Sequence, residues 1–145
     1  MVDARKRPLS MLTPLRSAVL AVLVDRRGPV SAYELLTELS KRRGKRVSPP
    51  TIYRSLDALL KAGLVGRIES RKVFFARSHH QSNEHGVIYS CQLCGRVDEI
   101  VDRVILSQVS VDAALLDFTV EREVLEVVGV CGDCRPAGSA EAVDA

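Results

Sequence analysis

The amino-acid sequence predicts an α+β protein in which an N-terminal winged helix-turn-helix domain precedes a small α/β domain. Three observations predict this fold: the sign of the charge changes midway along the chain, three amphipathic segments precede a hairpin, and all four cysteines lie in the second half. Residues 1–77 contain 17 Lys and Arg against 6 Asp and Glu, whereas residues 78–145 contain 4 against 12. This asymmetry indicates a nucleic-acid-binding module joined to a module of different character.

The first two predicted helices carry start signals and an apolar stripe. In residues 13–26, Thr13 stands at the N-cap and Pro14 at the first helical position. The second helix begins at Ser31, because Ser31-x-x-Glu34 has the form of a capping box. Apolar side chains recur at helical spacing in both segments, at Leu15, Ala18, Val19, Val22 and Leu23 and at Ala32, Leu35, Leu36 and Leu39.

The third predicted helix follows Ser48 and ends at Gly63, with two prolines in its first turn. It has an apolar face opposite a polar face, and such a helix in third place in a basic domain is typical of DNA recognition. Arginine can bond to guanine through two hydrogen bonds, and tyrosine can pack against a thymine methyl group. The candidate DNA-binding residues on the polar face are Thr51, Tyr53, Arg54 and Lys61.

Two β-prone stretches, residues 64–69 and 72–77, predict a hairpin that completes the winged helix-turn-helix. We expect phosphate contacts from basic side chains, including an N-terminal arm over residues 1–10. The alternative is that the third helix presents an ordinary solvated face and that the arm only improves solubility. The basic candidates are Arg5, Lys6, Arg7, Arg16, Lys45 and Arg46, with Arg67, Arg71 and Lys72 in the hairpin.

The cysteines form two Cys-x-x-Cys units, Cys91/Cys94 and Cys131/Cys134. Each unit can present two thiolates from one tight turn, so the two together predict one tetrahedral structural zinc per chain. The sequence has no run of about 18 apolar residues and no signal peptide, which argues against a membrane protein and predicts a reducing cytoplasm. The competing interpretation, a thiol-disulfide redox pair, lacks a surrounding βαβ pattern.

These motifs together resemble the ferric uptake regulator family, and within it the zinc uptake regulators. The matching stretches cover about residues 9–135 in family order and are Leu12-Thr13-Pro14-x-Arg16, Ser31-Ala32-Tyr33-Glu34-Leu35-Leu36, Pro49-Pro50-Thr51-Ile52-Tyr53-Arg54-Ser55-Leu56-Asp57, Ala62-Gly63-Leu64-Val65, Ile68-Glu69-Ser70, Cys91-x-x-Cys94-Gly95 and Val130-Cys131-x-x-Cys134. The resemblance implies a dimeric bacterial transcription factor, usually a repressor, that binds a palindromic operator in double-stranded DNA. It implies operator contacts from Tyr53 and Arg54.

The resemblance also organises the chain into a winged-helix domain over residues 1–77, a hinge over 78–85 and a zinc-stapled dimerisation domain over 86–135. In the last domain we expect strands over residues 86–91 and 96–101, a helix over 102–116 and β structure over 118–130. A domain of this size commonly needs a metal or a partner chain to fold. Residues 136–145 are small and polar and predict a disordered tail.

The chain departs from the zinc uptake regulators at the sensory metal site that the resemblance implies near the hinge. Gly66 and Arg77 occupy two ligand positions of that family, and neither can hold zinc in the usual way. One hypothesis is a relocated sensory site for Zn²⁺ or another divalent metal, since imidazoles and a carboxylate suit such ions. The alternative is that the protein has no sensory metal and these side chains are solvated. The candidate ligands are His79, His80, His85 and Glu99.

Two other classes of function compete with a metal-responsive repressor. A zinc-ribbon interaction module would bind a protein partner through its cysteine domain and nucleic acid without sequence preference. An enzyme is disfavoured, because the sequence has no Ser/His/Asp arrangement, no glycine-rich phosphate loop and no His-Glu-x-x-His motif. A zinc with four cysteine ligands also has no open position for water. We therefore expect neither catalysis nor a small-molecule substrate.

Overall fold

The computed structural model describes residues 12–26, 28–77 and 86–137. The predicted basic arm with Arg5, Lys6 and Arg7, the histidines His79, His80 and His85, and the tail from residue 138 lie outside the described residues. Among the described residues, no helix is long and apolar enough to cross a bilayer. The elements are α1 (Pro14–Arg26), β1 (Val30–Ser31), α2 (Ala32–Arg43), α3 (Pro49–Lys61), β2 (Val65–Ile68), β3 (Val73–Ala76), β4 (Val87–Cys91), β5 (Val97–Ile100), α4 (Arg103–Leu115) and β6 (Glu126–Gly129).

Local capping interactions start α1 and α2 where the sequence predicts. The Arg16 amide donates to the Thr13 hydroxyl at 3.4 Å, and the Glu34 amide donates to the Ser31 hydroxyl at 3.2 Å. The Ser31 amide donates in turn to the Glu34 carboxylate at 2.9 Å, which completes the capping box. Gly44 ends α2 with a positive φ of 63°, a conformation in which glycine has no Cβ penalty.

The first three helices enclose the core of the winged-helix domain. Their buried side chains follow the predicted apolar stripes, with few additions. Burying a Val, Leu or Ile side chain is worth about 1.5–3 kcal/mol relative to leaving it exposed, so this cluster is a large source of stability that needs no metal. Val19, Val22, Leu23, Leu35, Leu39, Ile52, Leu56 and Leu59 are all at most 2% exposed.

A three-stranded antiparallel sheet in the order β1-β3-β2 forms the wing. The predicted hairpin is confirmed, and its turn spans residues 69–72, with Lys72 at a positive φ of 53°. The sequence does not predict β1, whose two residues pair with Val73 and Phe74 of β3. A strand of two residues is too short to show an alternating pattern, so only its pairing partner identifies it.

The C-terminal domain contains a second sheet, in the order β5-β4-β6, and the helix α4. β4 is antiparallel to β5 and parallel to β6. The predicted fold class is therefore confirmed, but the β structure expected over residues 118–130 is confined to β6, and residues 118–125 form no strand. Parallel neighbours need a crossover connection. Residues 118–125 complete that return path after α4, which explains why they are not paired in the sheet.

Candidate DNA-binding face and metal centre

α3 presents a polar face to solvent over an apolar back. Ile52, Leu56 and Leu59 on the back are at most 1% exposed, whereas Tyr53 is 58% exposed and Arg54 is also exposed. The buried back anchors the helix on the other two helices while both polar side chains remain accessible. This arrangement is what a helix needs in order to enter the major groove of DNA.

The other two candidates on α3 already have local partners. The Thr51 hydroxyl lies 2.6 Å from the Ser48 hydroxyl at the N-terminus of the helix. The Lys61 ammonium lies 2.8 Å from the Asp57 carboxylate, and both side chains are more than half exposed. Exposed ion pairs of this kind contribute about 0–1 kcal/mol, so Lys61 can exchange Asp57 for a phosphate at little cost.

The basic candidates outside α3 differ in how available they are. Arg16 is half-buried in the first turn of α1. The Nε atom of Arg67 lies 3.5 Å from the Glu69 carboxylate, and its guanidinium lies 5.6 Å from the centre of the Phe74 ring. Arg67 is therefore partly committed to the wing itself. The exposed basic side chains of the α2–α3 connection and the wing turn are Lys45, Arg46, Arg71 and Lys72.

Tyr33 is a further DNA-binding candidate, which the sequence pattern alone does not identify. It lies in the first turn of α2, is 76% exposed, and lines a shallow depression with Lys41, Arg46 and Ser48. An exposed tyrosine beside two cations is suited to contact the sugar-phosphate backbone of DNA. The signal in the sequence is a large aromatic side chain on the polar side of α2. Its proximity to Arg46 depends on how α2 meets α3.

The four cysteines converge at one end of the C-terminal sheet. Because β4 and β6 are parallel neighbours, the turns at their carboxyl ends leave the sheet on the same side, one with Cys91 and Cys94 and the other with Cys131 and Cys134. The four Sγ atoms all lie within 4.8 Å of one another, and those of Cys94 and Cys131 are 3.7 Å apart. With Zn–S bonds of about 2.3 Å, a tetrahedral site has S···S edges of about 3.8 Å. The sulfur positions therefore fit one Zn²⁺.

Hydrogen bonds give these thiols very different acidities. Hydrogen bonds from the backbone amides of Cys94 and Cys131 lower the pKa of Cys91 to about 6. Hydrogen bonds with the side chains of Cys131 and Cys94, together with burial, raise the pKa of Cys134 to about 12. Thiolates this close repel one another, so ionising the whole set requires a cation among them. The donor type, the spacing and this charge requirement all suit a structural zinc.

The predicted sensory site is represented only by Glu99 among the residues that the structure describes. Its carboxylate accepts hydrogen bonds from the Arg77 guanidinium at 2.7 and 3.0 Å and from the Gly86 amide at 3.1 Å. Within residues 12–26, 28–77 and 86–137, the four cysteines are the only close group of three or more His, Cys, Asp or Glu side chains that could hold a metal ion.

Comparison with known proteins relates the chain to metal-dependent regulators. The model of the ferric uptake regulator family matches residues 10–128. The zinc uptake regulation protein of Escherichia coli (strain K12) is 32% identical over 124 residues, which cover 85% of this chain and 72% of that protein. The zinc uptake regulation protein of Mycobacterium tuberculosis (strain ATCC 25618 / H37Rv) is 31% identical over 121 residues, 82% of this chain and 88% of that protein.

Solved structures show the same relationship. A zinc uptake regulator complexed with zinc and DNA matches with a TM-score of 0.79 at 32% identity, over 85% of this chain and 82% of that one. Holo XcZur matches with a TM-score of 0.76 at 38% identity, over 85% of both chains. The family match spans most of the sequence, and the relatives exceed 30% identity over most of their length. The chain therefore belongs to the ferric uptake regulator family, whose members are transcriptional regulators and not enzymes.

Proposed function

We propose that this protein is a zinc-dependent bacterial transcriptional regulator that binds an inverted-repeat operator as a homodimer and represses transcription there. The observation that carries the proposal is α3, on which the exposed Tyr53 and Arg54 stand over a fully packed apolar back. The similarity to a zinc uptake regulator solved with zinc and DNA supports DNA as the ligand.

In this proposal Arg54 and Tyr53 read bases, and the other basic side chains hold the phosphates. The Arg54 guanidinium can donate two parallel hydrogen bonds to a guanine, and the Tyr53 ring can pack against a thymine methyl group. Lys45, Arg46 and Lys61 contact phosphates and add affinity without sequence information. Operator affinity should therefore fall steeply as the salt concentration rises, because each neutralised phosphate releases counterions.

The proposed dependence on metal enters through the four cysteines. Among the described residues of the C-terminal domain, Val87 and Cys91 are the only buried apolar side chains. A structural zinc in a small domain is worth about 10–16 kcal/mol of apparent free energy, enough to decide whether such a domain folds. The thiols must remain reduced to serve as ligands, which agrees with the predicted cytoplasmic location.

The proposed dimer interface is the apolar surface of α4 and the turn that follows it. None of the residues of α4 is buried. An exposed apolar surface of this kind marks an interaction site, and a second copy is the occupant that places two recognition helices on an inverted repeat. The side chains concerned are Val104, Val111, Leu115, Leu116 and Phe118, which are between 52% and 80% exposed.

A sensory ion held by His79, His80, His85 and Glu99 stays a prediction. The carboxylate of Glu99 is already bonded to Arg77 and Gly86, so a metal at this residue would have to displace those partners. The proposed function therefore assigns one zinc to each chain and makes no use of a second ion.

The test combines metal content with unbiased selection of binding sites. We would measure zinc per chain by mass spectrometry and select DNA from a random double-stranded library with the zinc-loaded protein. The expected result is one zinc per chain and an enriched inverted repeat, with affinity that falls in parallel with zinc when a strong chelator removes it. Equal retention of all sequences would contradict the proposal and favour a zinc-ribbon module that binds nucleic acid without specificity.

A further inference from the structure

We propose that the Arg77 guanidinium is a built-in cation that joins the winged-helix domain to the C-terminal domain, so that α3 is positioned without a metal ion at the hinge. Arg77 directly follows β3, at the base of the wing, and Glu99 lies on β5 of the other domain. The inference rests on the proposed function, because operator binding is one of its two readouts.

Arg77 and Glu99 form a two-point ion pair across the domain boundary. The Arg77 Nε atom lies 2.7 Å from Glu99 Oε2, and Nη2 lies 3.0 Å from Oε1. The Gly63 carbonyl accepts from Arg77 Nη1 at 3.4 Å, and the Gly86 amide donates to Glu99 Oε1. The side chains of the pair are only 4% and 15% exposed. This buried contact therefore joins four parts of the fold. They are the residues just after α3, the residue after β3, the residue before β4, and β5 itself.

At two positions where the resemblance implies metal ligands, Gly66 and Arg77 offer no donor atom for a metal ion. Gly66 on β2 is opposite Phe75 on β3, and the Phe75 ring fills the volume that a Cβ at residue 66 would need. An arginine cannot lose its proton in a protein, so a divalent cation at Glu99 would have to displace the guanidinium or sit beside its charge. These residues do not fit the hinge metal that the family resemblance implies. The guanidinium supplies the positive charge in its place.

The burial of the pair makes the loss of either member alone costly. Removing one member of a buried ion pair leaves the other charge without compensation, which is far more costly than losing an exposed pair. Moving the two domains apart would break both hydrogen bonds between Arg77 and Glu99 and expose the two charged groups to water. The planar, two-point geometry also restricts rotation, because both hydrogen bonds require the guanidinium and the carboxylate to stay coplanar.

A second contact holds the wing at its tip. The Glu126 carboxylate, at the start of β6, accepts hydrogen bonds from the backbone amides of Glu69 and Ser70, the latter at 3.2 Å. The Arg122 guanidinium lies 3.0 Å from the Glu69 carboxylate. The wing is thus tied to the C-terminal domain at its base through Arg77 and at its tip through these residues. Two separated links limit the rotation of the winged-helix domain more than either link alone.

The experiment compares four proteins, each with one zinc per chain verified by mass spectrometry and with loosely held metal removed by EDTA. They are the wild type, Arg77→Met, the double variant Arg77→Met/Glu99→Gln, and Arg42→Met. The double variant removes the link without leaving a buried unpaired charge. Arg42→Met is the matched control, because Arg42 pairs with Asp25 and Glu38 inside the winged-helix domain and is 41% exposed.

The first readout is affinity for the selected operator, with and without added Zn²⁺. We expect the wild type to bind equally well in both conditions. Both Arg77 variants should bind about tenfold more weakly, and added Zn²⁺ should not restore them, because the apparent affinity falls with the fraction of molecules in the competent arrangement. Arg42→Met should stay within about twofold of the wild type.

The second readout is hydrogen exchange of the Gly86 amide and of residues 97–100 in free protein. Exchange should be faster in both Arg77 variants and unchanged in Arg42→Met. The proposal is overturned if the zinc-containing wild type needs added metal to bind the operator, or if the double variant matches the wild type in affinity and exchange. If the wild type selects no operator in either condition, the proposed function has failed, and the exchange comparison alone decides on the link.

Discussion

The two domains of this chain reach stability in different ways. The winged-helix domain buries a contiguous set of Val, Leu, Ile and Phe side chains among three helices and a sheet. The C-terminal domain has a helix with no buried residue, a small sheet and a cluster of four thiols. The first domain can thus depend on hydrophobic burial, whereas the second buries few apolar side chains, and small domains of that kind commonly need a metal or a partner chain. The proposed zinc therefore binds the domain with the smaller apolar core.

The largest expected effect comes from breaking the zinc site. In Cys131→Ser, one of the four ligands is lost, and we expect the C-terminal domain to lose much of the about 10–16 kcal/mol that structural zinc contributes. Hydrogen exchange should show loss of protection over residues 86–135 and retention over residues 12–77. Wild-type protein stripped of zinc and reloaded serves as the control. Simultaneous loss of protection in both domains would show that the winged-helix domain also depends on the zinc site.

Disruption of the proposed dimer surface should have the second-largest effect. Leu115→Asp places a carboxylate on an apolar surface that a second copy would cover, and a buried charge without a partner costs several kcal/mol, about 3–5. Sedimentation equilibrium should show monomers at concentrations where the wild type is dimeric. The control is Val24→Asp, since Val24 is an exposed apolar residue of α1 (57% exposed) outside the proposed interface. An unchanged dimer in Leu115→Asp would place the interface elsewhere.

A cavity in the core of the winged-helix domain should leave the metal site intact. Leu59 is fully buried in α3, and Leu59→Ala should lower the free energy of unfolding of the winged-helix domain by about 2–5 kcal/mol. Chemical denaturation measures this change, and zinc content should remain at the wild-type value. Retained zinc would show that the two domains are stabilised independently, whereas release of zinc by the Leu59→Ala protein in native buffer would show that they are not.

Loss of a recognition side chain should affect binding without affecting either domain. Arg54→Ala removes a guanidinium that can pair with guanine, with an expected loss of about 1–3 kcal/mol in operator affinity and relaxed preference at one position of the half-site. The melting temperature should be unchanged, because Arg54 is exposed. Arg54→Lys, which keeps the charge, separates base reading from phosphate attraction. If Arg54→Lys binds with full affinity and specificity, Arg54 acts only through its charge.

The smallest effect is expected at the tip of the wing. Burial raises the pKa of Glu126, but hydrogen bonds from Ser70 and from the amides of Glu69 and Ser70 outweigh it, so the net pKa lies below the usual 4.5. A carboxyl whose pKa is lowered by folding adds stability at pH values above its unfolded pKa, and that stability is lost as the pH falls through the folded pKa. Glu126→Gln should therefore cost about 1 kcal/mol at pH 7.

Denaturation at two pH values tests this prediction. The difference between the wild type and Glu126→Gln should shrink when the pH is lowered from neutrality to below 4, because the wild-type carboxyl is then protonated. Glu121→Gln is the control, since Glu121 is an exposed carboxylate in the preceding connection. A difference that is the same at both pH values would show that the charge of Glu126 does not contribute to the contact.

Much of the winged-helix domain could be predicted because its signals are local. The Thr13 cap and the Ser31/Glu34 capping box act within three residues, and the apolar stripes repeat at the period of the helix. The strand β1 could not be predicted, because its two residues become a strand only by pairing with β3 more than forty positions later. The strand expected over residues 118–125 is absent for a related reason, because a strand-like composition does not by itself provide a pairing partner.

The candidate sites also contain parts that local sequence predicts and parts that depend on packing. The cysteine spacing predicts the metal centre, because a Cys-x-x-Cys turn positions two sulfurs by itself, and the parallel pairing of β4 with β6 then brings the two turns together. The polar face of α3 follows from helical periodicity. The position of Tyr33 beside Arg46 depends instead on helix packing, as does the engagement of Glu99 by Arg77. In the sequence Arg77 is recognisable only as a residue that cannot hold zinc.

Local sequence signals therefore predict the helices, the polar face of α3 and the four-cysteine centre, and composition gives the contrast in charge between the two halves. These depend on interactions a few residues apart or on residue chemistry. Tertiary packing sets which side chains meet across the domain boundary, where Arg77 reaches Glu99 and Glu126 reaches the wing turn. Contacts between residues 22 and 56 positions apart arise when packed elements bring distant segments together, and no local propensity encodes them.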